Sequence, residues 1–177
     1  VIAAVAAAAR LGVLIKDVSH IELASRIKAL IFDKTGTLTE GNLEVARLQA
    51  ADGVELAELL TVATSTECHS NHPAAEAMRR LAKDAGITWN DPADYQEVAG
   101  RGVQARFGND VCRVGRQTWL AENGVALDPL LAAMKSEERE GMSVVFVARN
   151  QRALGWIGLR DALRGAAPEA VAQLKGL

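Results

Sequence analysis

Nothing in this chain constrains its fold more than the run Ala29-Leu30-Ile31-Phe32, closed by Asp33 and followed by Lys34-Thr35-Gly36-Thr37. A short apolar run bounded by charge and glycine reads as a buried strand of a parallel sheet, which needs apolar residues on both faces. In such sheets ligands bind beyond the carboxyl ends of the strands, and Asp33 stands at one. The Thr and Gly residues that follow offer hydroxyls and backbone N–H groups to an anion, and Lys34 adds positive charge. A carboxylate facing a phosphate is repelled unless a cation bridges them, which implies Mg²⁺. An aspartate so placed can also attack phosphorus and form an acyl phosphate. A bare Asp-x-Thr-Gly is equally what a capped turn looks like, so these four residues alone leave both readings open.

The rest of the chain predicts two kinds of structure. Residues 1–27 are Ala-rich and read as helix, and Leu43 to Leu48 as a second strand. Helices are expected over Val54–Thr66 and Ala74–Ala85, the latter started by Pro73 and ended by Gly86. From Tyr95 the pattern turns to strands: Tyr95–Phe107, Val111–Val114, Ser143–Ala148 and Leu154–Leu159. Helices around Gln117–Glu122 and Asp128–Arg139 fall between them, and Pro168 opens a last helix to Leu174. The expected organisation is a parallel α/β unit that starts at one end and resumes at the other, bracketing an antiparallel α+β unit over roughly residues 49 to 152.

Composition excludes some partners. The 177 residues carry a net charge of −2 and 4% aromatics, so neither a basic footprint nor a base-stacking surface for nucleic acid is present. Cys68 and Cys112 form no disulfide framework, which favours a reducing compartment. The opening Val1–Ala9 is apolar, but nine residues cannot span a bilayer, which needs about 20. It lacks the basic start and Met of a signal peptide. The end of a membrane helix and a simple amphipathic helix both fit it.

The full seven residues Asp33 to Thr39, DKTGTLT, are the signature of the P-type ATPases of the haloacid-dehalogenase-like superfamily, and the chain resembles that family throughout. By that resemblance Asp33 is the phosphorylated aspartate, Lys34 and Thr35 hold phosphate, and Asp33 and Thr35 hold Mg²⁺. Phosphatases of the superfamily carry a second Asp, as acid and base, where this chain has Thr35. A Thr hydroxyl cannot deprotonate water at neutral pH, so the phosphoenzyme is expected to persist, as a pump requires.

Two further elements resemble the heavy-metal-transporting branch. Glu67, Ser70, His72 and Pro73 match its Glu-x-x-Ser-x-His-Pro element. Gly100-Arg101-Gly102 matches its Gly-x-Gly, and Gly115 the glycine beyond. The resemblance implies that Glu67, His72, Gly100, Gly102 and Gly115 contact ATP. Glycines allow close approach of a base and its sugar, and Glu67 can accept from an exocyclic amine. A zinc site built on Cys68, His69 and His72 is disfavoured, because a closed structural site needs four ligands. Asp161 and Arg164 resemble the Asp-x-x-Arg-Pro-Glu element at the return to the phosphorylation domain, which places Asp161 too among the expected cofactor-binding residues, although Gly165-Ala166-Ala167 displaces Pro168 from that pattern.

The fold implied is a partial Rossmannoid phosphorylation domain of haloacid-dehalogenase type, with an inserted antiparallel-sheet nucleotide-binding domain. Its expected parts are the end of a transmembrane helix and stalk (1–27), the first phosphorylation segment (28–48), the nucleotide-binding domain (49–152) and the second phosphorylation segment (153–177). ATP and Mg²⁺ are the expected cofactors. A transported heavy-metal ion, an actuator domain and a transmembrane domain are the expected partners, in a bacterial inner membrane. The Gly-Asp-Gly element and TGE loop that the family also uses do not occur in this sequence. The stretch TEGNLEV leans the cargo toward copper or silver over zinc, cadmium or cobalt. A soluble aspartate-dependent phosphatase and a non-catalytic nucleotide sensor are the alternatives.

Overall fold

The computed structural model describes residues 2–24, 26–134 and 142–176, without the side chains of residues 21, 22, 24, 34, 35 and 133. The chain forms two compact units, Val1–Asp33 and Lys34–Leu177.

In the first unit, residues 1–27 are not one helix. Helices α1 (Ile2–Arg10) and α2 (Ser19–Ala24) are separated at Gly12, whose φ of +78° lies in the left-handed region. Asp17 caps the second, accepting from the Ser19 N–H at 2.9 Å and its hydroxyl at 2.7 Å. Ala29–Phe32, expected as a buried strand, is neither strand nor buried: Ile31 is 98% exposed and Leu30 51%. A strand apolar on both faces is stabilised by neighbours that cover them, and no strand among the described residues pairs with it.

The second unit is built on one wholly antiparallel sheet. A π-helical turn (Lys34–Leu38) leads into β1 (Thr39–Ala50). Then come α3 (Leu56–Thr66), α4 (Pro73–Asp84), β2 (Asp94–Val98), β3 (Gly102–Phe107) and β4 (Asp110–Gly115). They are followed by α5 (Gln117–Glu122), α6 (Asp128–Ala133), β5 (Ser143–Arg149), β6 (Arg152–Leu163) and α7 (Ala167–Lys175). The strand order is β1-β6-β5-β4-β3-β2. The expected run Tyr95–Phe107 is two strands, broken at Gly100, whose φ of +70° supplies the turn. The far end of the helix expected over Asp128–Arg139 falls at 135–141, outside the described residues.

Helices cover both faces, so this sheet has two cores. Leu59, Ala63, Ala77 and Met78 of α3 and α4 pack on Val114, Val147, Ile157 and Leu159. Trp119 and Leu120 of α5, with Leu127 and Leu130, pack on Phe146, Ala148 and Trp156. Strand alternation divides β5 between them: Val147 points to one core, Phe146 and Ala148 to the other. In β6 an irregularity opposite Val147/Ala148 leaves Leu154 as the extra residue, so it joins Ile157 and Leu159 on the α3 side.

Candidate active site

The sheet splits where β4 ends. Gly115 is its last residue and pairs with Phe146, while Ser143, Val144 and Val145 continue β5 with β6 as partner. The chain leaves β4 into α5, and a cavity of about 730 Å³ opens beside the split. Glu67, Ser70, His72, Gly100, Gly102 and Gly115 all line it. Five of the six residues expected to bind the cofactor, remote in sequence, thus share one concave site of the size small-molecule pockets have, and the sixth, Asp161, does not line it.

Glu67 caps the carboxyl end of α3 and is 7% exposed. Its Oε2 is buried without a hydrogen-bond partner. Burial pushes its carboxyl up to about 7, the Ser70 hydroxyl pulls it back, and the Glu97 charge raises it further. Near neutrality Glu67 is therefore divided between a form that donates a proton and one that only accepts.

His72 is the N-cap of α4, ahead of Pro73 at the first helical position. Its Nδ1 accepts from the Ala74 N–H at 3.1 Å. An accepting Nδ1 in a neutral ring puts the proton on Nε2, so the ring presents a donor at its other edge. The Ser70 hydroxyl in turn accepts from the His72 N–H at 3.2 Å.

Arg79 is the residue that sequence reading missed here. Its Nη1 donates to the carbonyls of Glu67 (2.9 Å) and Ser70 (3.0 Å), and its Nη2 to Glu76 Oε2 (3.0 Å). One guanidinium thus closes the turn between α3 and α4 and holds Glu67 and His72 in place. The spacing of Arg79 from Glu76, one helical turn on, is its sole signal in the sequence.

The glycines have a packing reason beside any ligand reason. Gly102 and Gly115 face each other across β3 and β4. A Cβ on Gly102 would lie 2.3 Å from the Val114 carbonyl oxygen and 2.8 Å from the Trp119 ring. One on Gly115 would lie 2.5 Å from the Arg101 carbonyl oxygen. At Gly100 nothing lies within 4 Å of a Cβ, and its positive φ is the requirement.

The signature loop is positioned differently. Asp161 does not line the cavity; its Oδ2 accepts from the Thr39 hydroxyl at 2.5 Å and its Oδ1 from the Gly41 N–H at 3.1 Å. Thr39 is fully buried, and its Oγ1 also accepts from the Gly36 N–H at 3.2 Å. Arg164 Nη2 donates to the Gly36 carbonyl (3.0 Å) and Nε to the Thr39 carbonyl (3.1 Å). The last Thr of DKTGTLT is therefore a latch on β6. Asp33 belongs to the first unit and is exposed; the side chains of Lys34 and Thr35 lie outside the described residues.

Residues 27–177 match the haloacid dehalogenase-like hydrolases, and the chain belongs to that family. Its similarity within the family is to heavy-metal P-type ATPases. It is 41% identical over 168 residues to a probable copper-exporting P-type ATPase of Archaeoglobus fulgidus, covering 94% of this chain and 20% of that protein. It is 34% identical over 175 residues to a zinc/cadmium/lead-transporting P-type ATPase of Escherichia coli, covering 97% of this chain and 23% of that protein. The structure of a zinc-transporting PIB-type ATPase in its E2·Pi state superposes with a TM-score of 0.80 at 33% identity, over 97% of this chain and 28% of that one. The chain thus spans about a fifth of the length of these curated relatives. The fold is of haloacid-dehalogenase type with an antiparallel sheet, as expected, but among the described residues the outer segments give no parallel pair: β1 and β6 run antiparallel in that same sheet. No described helix is long and apolar enough to cross a membrane.

Proposed function

We propose that this chain is the nucleotide-binding and phosphorylation region of a heavy-metal-exporting P-type ATPase. The observation that carries the reading is Glu67, a buried carboxyl with one oxygen unpartnered, lining a cavity that also holds His72 and the glycine pair. A buried polar atom without a partner is costly, and a ligand edge that hydrogen-bonds it removes the cost. The exocyclic amine of adenine supplies such a donor. The Nε2–H of His72 and the backbone at Gly100–Gly102 offer further contacts to base and sugar.

In this reading the γ-phosphoryl group passes in line to Asp33. A carboxylate oxygen forms the new bond to phosphorus, the bond to the bridging oxygen breaks, and ADP leaves with that electron pair. Lys34 meets the phosphate charge. Mg²⁺, held by Asp33 and Thr35, would offset repulsion between carboxylate and phosphate. Asp161 and Arg164 hold the loop in shape and leave the nucleotide to the cavity. Thr35 cannot activate water, so the phosphoenzyme waits for another part of the protein to trigger hydrolysis.

The proposed parts are the end of a transmembrane helix and stalk (1–27), two phosphorylation segments (28–48, 153–177) and an inserted nucleotide-binding domain (49–152). The partners are actuator and transmembrane domains of one parent protein in a bacterial inner membrane, with this portion cytosolic. The copper-exporting relative at 41% identity supports a copper or silver cargo.

Titration calorimetry with ATP tests the reading. Glu67→Ala and His72→Ala are each expected to weaken ATP by about 1–2 kcal/mol, the range of a lost hydrogen bond, with Asp33→Ala unchanged. If neither substitution moves the affinity, the cavity is not the nucleotide site. Turnover of p-nitrophenyl phosphate by the isolated chain would favour a phosphatase instead.

A further inference from the structure

We infer that this chain carries a metal site outside the nucleotide cavity, built from Cys68, His69 and Asp91, for one thiophilic divalent cation of the zinc class. One ligand atom from each of the three residues lies within 4.8 Å of the others. His69 Nε2 and Asp91 Oδ1 stand 3.9 Å apart, too far for a hydrogen bond between them. Ligand pairs around tetrahedral zinc stand about 3.3–3.6 Å apart, given metal–ligand bonds of about 2.0–2.3 Å. Closing the site therefore takes side-chain movements of about 1 Å. Both His69 and Asp91 are exposed enough to make them, with side chains 53% and 84% accessible.

The frame beneath these side chains is fixed. Cys68 and His69 sit in the turn that Arg79 clamps, and Arg79 Nη1 reaches the Cys68 carbonyl as well, at 3.4 Å. The His69 ring stands edge-on to Tyr95, centroids 5.6 Å apart and planes at 86°. The loop bearing Asp91 is tied to the end of α3 by the Asn90 N–H, which donates to Ser65 Oγ at 3.1 Å. Three residues from two segments are thus brought together by bonds that none of their own side chains makes.

The donor set selects the cation. A thiolate disfavours Mg²⁺ and Ca²⁺, and imidazole with carboxylate beside it suits Zn²⁺. Three protein ligands leave a fourth position open, as in zinc sites that exchange a ligand. This is not the trio set aside from the sequence: His72 is occupied as the cap of α4, and Asp91, 22 residues beyond His69, stands in its place. Cys68 follows Glu67 directly, so an occupied site would brace the turn that carries Glu67 and His72.

The test is Zn²⁺ titration of the untagged, metal-free chain, with Co²⁺ as an optical probe. One Zn²⁺ per chain is expected, and the Co²⁺ form is expected to show a thiolate charge-transfer band. Cys68→Ser should abolish that band. Cys68→Ser and Asp91→Asn should each weaken Zn²⁺ about tenfold or more, with His20→Ala as the unchanged control. Circular dichroism of each variant checks that the fold is kept. Absence of stoichiometric binding, or binding and a Co²⁺ band that survive Cys68→Ser, overturns the proposal.

Discussion

The loop at Thr39 and the cavity at Glu67 each hold a carboxyl group, and they treat it oppositely. Asp161 has both oxygens occupied, by Thr39 and Gly41, and Arg164 closes the surrounding carbonyls. Glu67 is buried with one oxygen left over. A satisfied polar network holds a shape, whereas a buried unsatisfied group stores a cost that a ligand can relieve. The difference separates residues that build a site from residues that wait at one.

The largest expected effect breaks the cavity itself. Gly102→Ala puts a Cβ against the Val114 carbonyl at a φ of +153°, so chemical denaturation should show a loss of about 3–4 kcal/mol. A near-neutral result would mean that β3 and β4 separate freely and that the cavity is not preformed.

Glu67→Gln sharpens the comparison. The Glu67 carboxyl is raised from its ordinary 4.5 to about 7 in the folded chain. A group raised on folding contributes its full share below the unfolded value, and that share is lost as pH rises through the folded one. Wild-type stability should therefore fall between about pH 4.5 and 7 relative to the Gln variant. Between pH 4 and pH 8 the wild type should lose on the order of 3 kcal/mol relative to the variant, measured by urea unfolding at each pH. A gap independent of pH would show that Glu67 finds another partner when charged.

Thr39→Val tests the satisfied side. It removes a donor to a carboxylate and should cost about 2 kcal/mol, while ATP affinity is expected to hold. Loss of ATP binding in that variant would join the two regions that the hydrogen bonds keep apart.

What the sequence disclosed follows from range. Gln117–Glu122 and Pro73 at the head of α4 are local signals and appear where expected. The gathering of Glu67, His72 and the glycines in one cavity was legible through motif resemblance, since periodicity does not report it. Ala29–Phe32 misled because its pattern describes a strand with covered faces, and cover is a property of neighbours. The partnership of Thr39 with Asp161 spans 122 positions, and no local pattern records it. Arg79 was illegible for a related reason: its three carbonyl acceptors lie 9 to 12 residues back, in a turn whose path depends on α3 and α4 packing first.

The ladder between β1 and β6 has a mechanical consequence. It runs from Thr39 opposite Leu163 to Ala50 opposite Gly155, so the chain enters β1 and leaves β6 at the same end. Tension applied through the flanking segments loads the bonds in series, opening the ladder like a zipper rather than shearing it. The first teeth to meet that force are the Thr39–Asp161 latch and the Arg164 clasp. A pull from outside is thus borne by a few strong polar contacts before it reaches the apolar cores behind them.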